Sequence, residues 1–316
     1  MLSSAFLAVV AAVSSASAAS VVSQLWNFTD YAVTIENSAL RSNGQLLLTT
    51  FDNGSLYTLD TLKNGSRAEL VTKLTGATAI GGIAAISADK FAILGGVRGN
   101  NYSYTNESVY IVDFSDGESS NPNVNVVARL PDAVMLNGLA SLPAKPHVVL
   151  ATDSRLGSIF RIDTQTGASE VAITDDLFAA PANATIPIGI NGIKIAGGYA
   201  YFTNTARTSF GRVSITEDGY KAGDVETLTV ASGGYAWDDF VVDASGNIFA
   251  AQTQNALGQI LLNGTYVTIA GGGDTTFIHR PTSVAVSEDN KKLFVTTGGN
   301  AVDGVTYSGQ VLAVEL

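Results

Sequence analysis

The chain contains no cysteine. Disulfide frameworks, zinc–thiolate sites, iron–sulfur ligation and thiol nucleophiles are therefore excluded. Histidine occurs only as His147 and His279, so a His-rich metal site cannot form. Charged residues are 14% of 316, and 17 Lys and Arg face 28 Asp and Glu, a formal net charge of −11. So few scattered cations leave no basic patch to displace counterions from nucleic acid or to hold anionic lipid. A Walker phosphate loop, a dinucleotide-binding glycine fingerprint and a Gly-x-Ser-x-Gly nucleophile turn are all missing. No long stretch carries the 3.6-residue apolar period of an amphipathic helix.

What is present begins with the segment MLSSAFLAVVAAVSSASA. Its apolar stretch from Ala5 to Val13, closed by Ala16-Ser17-Ala18, reads as a signal peptide over residues 1–18. It falls short of the roughly 20 apolar residues needed to span a bilayer, and no other segment is long enough. The expected mature protein, residues 19–316, is a single domain in the secretory pathway, extracellular or vesicular. Asn-x-Ser/Thr sequons at Asn27, Asn53, Asn64, Asn101, Asn106, Asn183 and Asn263 fit that route as candidate N-glycan acceptors.

The body consists of short runs of Val, Ile, Leu, Phe and Tyr punctuated by Gly, Asn and Asp, which read as strands joined by turns. Side by side, the runs form six similar units anchored at residues 36, 82, 137, 191, 239 and 282. Four-stranded units of such length are the pattern of propeller blades. The sixth unit reaches Leu316 on its third strand, while Val21 to Trp26 is an unassigned strand before the first unit. The expected fold is an all-β six-bladed propeller of four-stranded blades, the last closed by the N-terminal strand.

The innermost strands of a propeller line a central channel, so the residues that begin them converge. These are Glu36, Gly82, Asn137, Asn191, Asp239 and Thr282. Two carboxylates and two amides suit a hard cation such as calcium. Equally, Asn-Gly pairs make turns, and Glu36 and Asp239 can bond backbone amides. The segments leading into the last two units, Tyr235-Ala236-Trp237 and Phe277-Ile278-His279-Arg280, place aromatic and cationic groups near the expected mouth. Arg155 lies in a strand-connecting loop that could face the same way. Each has a structural alternative: Trp237 as a plug between blades, His279 on a backbone carbonyl, Arg280 in an interblade ion pair. Asp238 and Asp239, as adjacent strand residues, should point oppositely unless a bulge intervenes. Asp239 is expected to face the channel, with Asp238 behind it.

The fragments NGLASLP, ATDSRLGSIFRID, NGIKIAGGYAYFTNTARTSFGRV and SVAVSEDNKKLFVTTGG resemble the secreted fungal branch of gluconolactonase/regucalcin-like (SMP-30-like) propellers. That resemblance implies a divalent cation on Glu36, Asn191 and Asp239, and a substrate-side role for Asn137. The flanks depart from the lactonase pattern: Ala236-Trp237-Asp238-Asp239-Phe240 replaces the usual Pro-Asp-Gly, and Glu36 lacks a following Gly-Pro. The chain also looks like the hetero-Diels–Alderases of fungal tropolonic sesquiterpene biosynthesis, which join an ortho-quinone-methide-type polyketide to a humulene-type alkene. The latter resemblance implies a cofactor-free cyclase acting on apolar small molecules. Asp239, His279, Arg280 and Trp237 are then its candidate catalytic residues, and Asn137, Tyr235, Arg155 and Phe277 its candidate substrate contacts. The alternatives are a divalent-metal-dependent lactonase- or esterase-type hydrolase and a non-enzymatic secreted binding propeller.

Overall fold

A computed structural model describes residues 20–29, 33–116, 121–233, 235–273, 277–302 and 304–316. The expected signal peptide lies outside the described residues. Among the described residues every long element is a strand, as the Val/Ile/Leu-rich runs predict. The strands form six four-stranded antiparallel sheets and one small hairpin, Asn300–Val302 with Val305–Tyr307. The first strand of each sheet touches the first strands of both neighbours, which closes the six into a ring. These inner strands are Ile35–Leu40, Ala79–Ser87, Leu136–Leu142, Ile190–Ala196, Trp237–Val242 and Pro281–Val286. They define blades 1 to 6 in chain order.

Blade 6 takes its outer strand from the other end of the chain. Val22–Asn27 pairs antiparallel with Gln310–Glu315, setting Val22 opposite Val314 and Asn27 opposite Gln310. The missing fourth strand of the last unit is thereby supplied, and a bare sheet edge is avoided.

Apolar side chains fill the gaps between blades. Ala92, Leu94 and Val109 of blade 2 pack on Leu139, Val149 and Phe160 of blade 3. Phe210 of blade 4 meets Phe240 of blade 5 edge to face at 5.0 Å between ring centres. A single sheet could not bury both of its faces, and radial stacking does so.

All six inner strands carry a register shift near their start. In blade 3 the pairs Leu136–Asp153 and Leu139–Ala151 enclose Asn137 and Gly138 opposite one residue, Thr152. Blade 4 repeats this with Asn191-Gly192, blade 5 with Asp238-Asp239 and blade 2 with Gly81-Gly82. Blades 1 and 6 shift at Glu36 and Thr282. A bulge re-aims the side chain of its extra residue, and here five of the six, all but the Gly81-Gly82 bulge, bring a side chain to one place. Threonines on the second strands hold several of them. Thr49, Thr152 and Thr203 accept from the backbone N–H of Asn37, Gly138 and Gly192 at 2.8–3.0 Å. The glycine after each mouth asparagine follows from crowding by the next blade. A Cβ at Gly138 would overlap the Asn191 carbonyl, and one at Gly192 the Asp239 carboxylate.

Candidate functional site

At the start of the inner strands the channel opens into a cavity of about 790 Å³. The bulge residues Glu36, Asn137, Asn191, Asp238 and Thr282 all line it, and so does Arg280. The convergence expected of Glu36, Asn137 and Asn191 is therefore found. The carboxylate that joins them is Asp238, not Asp239.

One register explains the exchange. Ile80-Gly-Gly-Ile83, Leu136-Asn-Gly-Leu139, Ile190-Asn-Gly-Ile193 and Trp237-Asp-Asp-Phe240 superimpose as an apolar residue, two bulge residues and an apolar residue. Asp238 thus stands where Asn137 and Asn191 stand, and Asp239 where their glycines stand. Asp239 points further down the channel. Both of its oxygens lie 2.7 Å from Lys194 Nζ, and it also accepts from Asn37 Nδ2 at 2.6 Å. Both oxygens are thus engaged within the protein, and Asp239 is not among the residues lining the mouth.

The same register places Trp237 with Leu136 and Ile190. It is fully buried among Phe210, Phe240 and Ile248, edge to face with Tyr266 at 5.1 Å. The structural alternative of a plug between blades holds, and Trp237 does not reach the mouth. Tyr235 packs against this cluster, and its hydroxyl accepts from Gly273 N at 3.4 Å. His279 is also turned away. Its ring stacks on Tyr307 at 3.8 Å, and its Nδ1 lies 3.0 Å from Asn300 Oδ1. Burial lowers the imidazole pKa, opposed by the Asn300 contact. With Phe277, His279 lines a separate cavity of about 640 Å³ beside the N-terminal strand. Arg155 reaches across the rim to the Asn101 carbonyl at 3.2 Å and is not among the residues lining the mouth.

Arg280 does reach the mouth, from a left-handed backbone (φ 57°) unusual for a residue with a Cβ. Three contacts hold that conformation: its N–H donates to Asn255 Oδ1 at 2.9 Å, its carbonyl accepts from Gly298 N at 2.8 Å, and its Nη2 donates to Gly298 O at 3.3 Å.

The polar sector is organised by side-chain amides. Asn191 Nδ2 donates to Asp238 Oδ1 and to Thr205 Oγ1, both at 2.9 Å. Asn137 Nδ2 donates to Ser154 Oγ at 3.0 Å. Because the N–H groups face the protein, both amide oxygens are left to the cavity. Burial pushes the Glu36 carboxyl up to about 7, against the opposing pull of Arg280 and Arg98. Burial, and then the charges of Glu36 and Asp239, hold Asp238 well above the usual carboxylate range. Both carboxyls are thus easier to protonate than exposed ones.

Two carboxylates and two free amide oxygens are the donors a hard divalent cation takes, so this site fits one. The set is Glu36, Asp238, Asn191 and Asn137, which corrects the expected use of Asp239. No cluster of three or more His, Cys, Asp or Glu suited to a metal occurs among the described residues.

Larger, mostly apolar side chains complete the wall: Phe51, Tyr104, Met135, Ile186 and Ile188. None of these was singled out by sequence, because they sit in loops or, for Tyr104, at the start of a third strand, outside the repeated anchor positions themselves.

No protein-family model matches the chain. It is 28% identical over 295 residues to a proposed hetero-Diels-Alderase of Phoma sp., covering 84% of this chain and 83% of that one. It is 30% identical over 307 residues to the proposed hetero-Diels-Alderase asR5 of Sarocladium schorii, covering 83% and 74%. Among solved structures, the calcium-binding protein regucalcin of Agrobacterium tumefaciens superimposes with a TM-score of 0.60 at 16% identity, covering 90% and 95%. The chain belongs to the family of these two fungal hetero-Diels-Alderase relatives, and it shares the propeller fold of regucalcin.

Proposed function

We propose that the mouth catalyses a cofactor-free hetero-Diels–Alder reaction between an ortho-quinone-methide-type polyketide and a humulene-type alkene. Its relatives support an enzymatic role in general, and the specific reaction is our reading. The observation that carries it is one cavity lined both by apolar side chains and by a set of polar donors. The reaction forms one C–C and one C–O bond and needs neither a nucleophile nor an electron carrier. Confining both partners removes much of the entropic barrier. As the alkene carbon bonds the exocyclic methylene, negative charge gathers on the quinone-methide oxygen. The Arg280 guanidinium and a protonated carboxyl of Glu36 or Asp238 would stabilise it. The alkene would lie against Met135, Ile186 and Ile188, burying apolar surface.

The four oxygen donors favour a second reading, a divalent-metal-dependent lactonase or esterase. A bound cation would polarise a carbonyl oxygen, with Asn137 orienting the substrate. A secreted binding propeller is the non-enzymatic alternative. One experiment separates the three. Purified protein is incubated with a quinone-methide precursor and a humulene-type alkene, and separately with lactones, each with and without EDTA. EDTA-insensitive acceleration with altered product ratio supports the cyclase. EDTA-sensitive lactone hydrolysis supports the hydrolase. Inertness in every arm leaves the binding protein.

The secretory route, with residues 1–18 removed, belongs to the same proposal. Six sequon asparagines are exposed and Asn27 is half-buried, so glycans are expected on the former set first. No helix among the described residues is long and apolar enough to cross a membrane.

A further inference from the structure

Blade 2 carries a pair of donors that the cycloaddition reading does not use. Arg98 and Tyr104 face each other across adjacent strands at the mouth end of the blade. Phe51 of blade 1 organises both. The Arg98 guanidinium lies over its ring at 4.7 Å, and the Tyr104 ring meets its edge at 6.4 Å and 78°. Tyr104 is 8% exposed and wedged against Ala79 and Met135. Its phenol has no hydrogen-bond partner among the described residues, although the side chain lines the cavity. A hydroxyl that a nearly buried side chain brings to a cavity wall, with no protein acceptor, is available to a ligand there.

We propose that Tyr104 is a further catalytic residue, donating its phenolic O–H to the oxygen of a planar conjugated ketone in the mouth. Burial raises the phenol pKa, Glu36 and Glu107 add to the rise, and Arg98 only partly opposes it. The group therefore remains a protonated donor throughout the physiological range. Arg98, fixed on the Phe51 face, supplies positive charge on the same side. Because Arg98 and Arg280 both act on Glu36, the oxygenated partner is recognised between blades 6 and 2, around the Glu36 side of the mouth. The planar face of the ketone would then rest toward Phe51 and Met135. The catalytic part of this inference rests on the cycloaddition reading; the ligand class does not.

The test uses tropone labelled with ¹³C at its carbonyl, a stable planar conjugated ketone, and the variant Tyr104→Phe. This variant keeps the ring and its packing, and thermal unfolding checks the fold. Bound to the wild-type protein, tropone should show a downfield carbonyl shift from hydrogen bonding, and Tyr104→Phe should lose most of it. In the cycloaddition assay the variant should lose about 10²-fold in kcat, with KM changed far less. Absence of tropone binding to the wild-type protein, or an unaltered carbonyl shift in the variant, overturns the proposal. So does full kcat in Tyr104→Phe when the wild-type protein is active. If the tropone shift depends on Tyr104 but the wild-type protein accelerates no cycloaddition, the ketone site stands. The cycloaddition reading then fails, and the catalytic role with it.

Discussion

Asn191 donates to Asp238 at 2.9 Å across the junction of blades 4 and 5, whereas the next residue, Asp239, turns down the channel to Lys194. Two neighbouring carboxylates therefore have separate work, and substitution should separate them. Asp238→Asn should lower turnover at least tenfold with little change in unfolding midpoint. Asp239→Asn leaves Lys194 in the channel without its counter-charge. Breaking a fully buried pair costs about 3–5 kcal/mol; Lys194 is 25% exposed, so a loss nearer roughly 2 kcal/mol is expected in urea unfolding. Equal stability losses in the two variants would contradict this division.

Trp237 supports the fold rather than the chemistry. Trp237→Ala removes a fully buried indole between Phe240 and Tyr266. Truncations of this kind cost about 3–5 kcal/mol. Denaturant unfolding should show that loss, while the protein that remains folded should keep its product stereochemistry. A stable variant with scrambled stereochemistry would return Trp237 to the mouth.

These two residues show how far the sequence could be read. Blade number, strand order and closure by Val22–Asn27 were legible, because they depend on the spacing of apolar runs and on one unpaired strand. Glu36, Asn137, Asn191 and Arg280 were legible because each begins, or directly precedes, a repeated strand. The blade 5 register was not read, because Asp-Asp presents two equivalent carboxylates. The apolar residue before each bulge pair, Leu136, Ile190 and Trp237, would have fixed it. Placing His279 and Phe277 at the mouth failed for another reason. Loop residues next to Arg280 look equivalent in sequence, yet His279 and Phe277 line the cavity beside the N-terminal strand while Arg280 lines the mouth. Phe51, Arg98 and Tyr104 carry no repeat signal, since their meeting depends on how blades 1 and 2 stack.

Glu107 predicts the sign of one pH dependence. Burial raises its carboxyl to about 8, above its ordinary 4.5, although it accepts from Leu136 N at 2.7 Å. The folded state then binds more protons than the unfolded state between those values. Stability from this group is fully present below about 4.5 and is lost as pH rises through about 8. Glu107→Gln keeps an acceptor for Leu136 N and should flatten that decline. Unfolding midpoints of both proteins from pH 4 to 9, falling in parallel, would contradict the assignment.

The N-terminal strand should behave as part of blade 6. Deleting residues 20–27 strips Leu25 and Trp26 from the cluster between blades 6 and 1 and bares the edge of Gln310–Glu315. The variant should unfold at clearly lower urea and self-associate with rising concentration, because an open edge recruits strands. A monomer of unchanged midpoint, by size exclusion and urea titration, would show the strand to be dispensable.

Arg280 combines strain with placement, and the two can be separated. A side-chain-bearing residue in the left-handed region costs roughly 1–2 kcal/mol relative to ordinary backbone. Here the φ of 57° is held by Asn255 and by Gly298, where a Cβ would stand 2.5 Å from Arg280 Nη2. Arg280→Gly removes the strain together with the guanidinium. It should raise stability by about 1 kcal/mol while depriving the mouth of its charge, lowering kcat by about 10²-fold. Gly298→Ala should do the reverse: the guanidinium is kept but pushed off its seat, so activity falls, by less than in Arg280→Gly, with no gain in stability. Free guanidinium added to Arg280→Gly should restore part of the rate and none to Gly298→Ala, whose own arginine still fills the space. Stability is read by urea titration, and rate by initial velocities with and without guanidinium below denaturing concentrations. An Arg280→Gly protein that is less stable than the wild type, or as active, would mean that the left-handed turn is ordinary scaffold and that the mouth draws its positive charge from Arg98 instead.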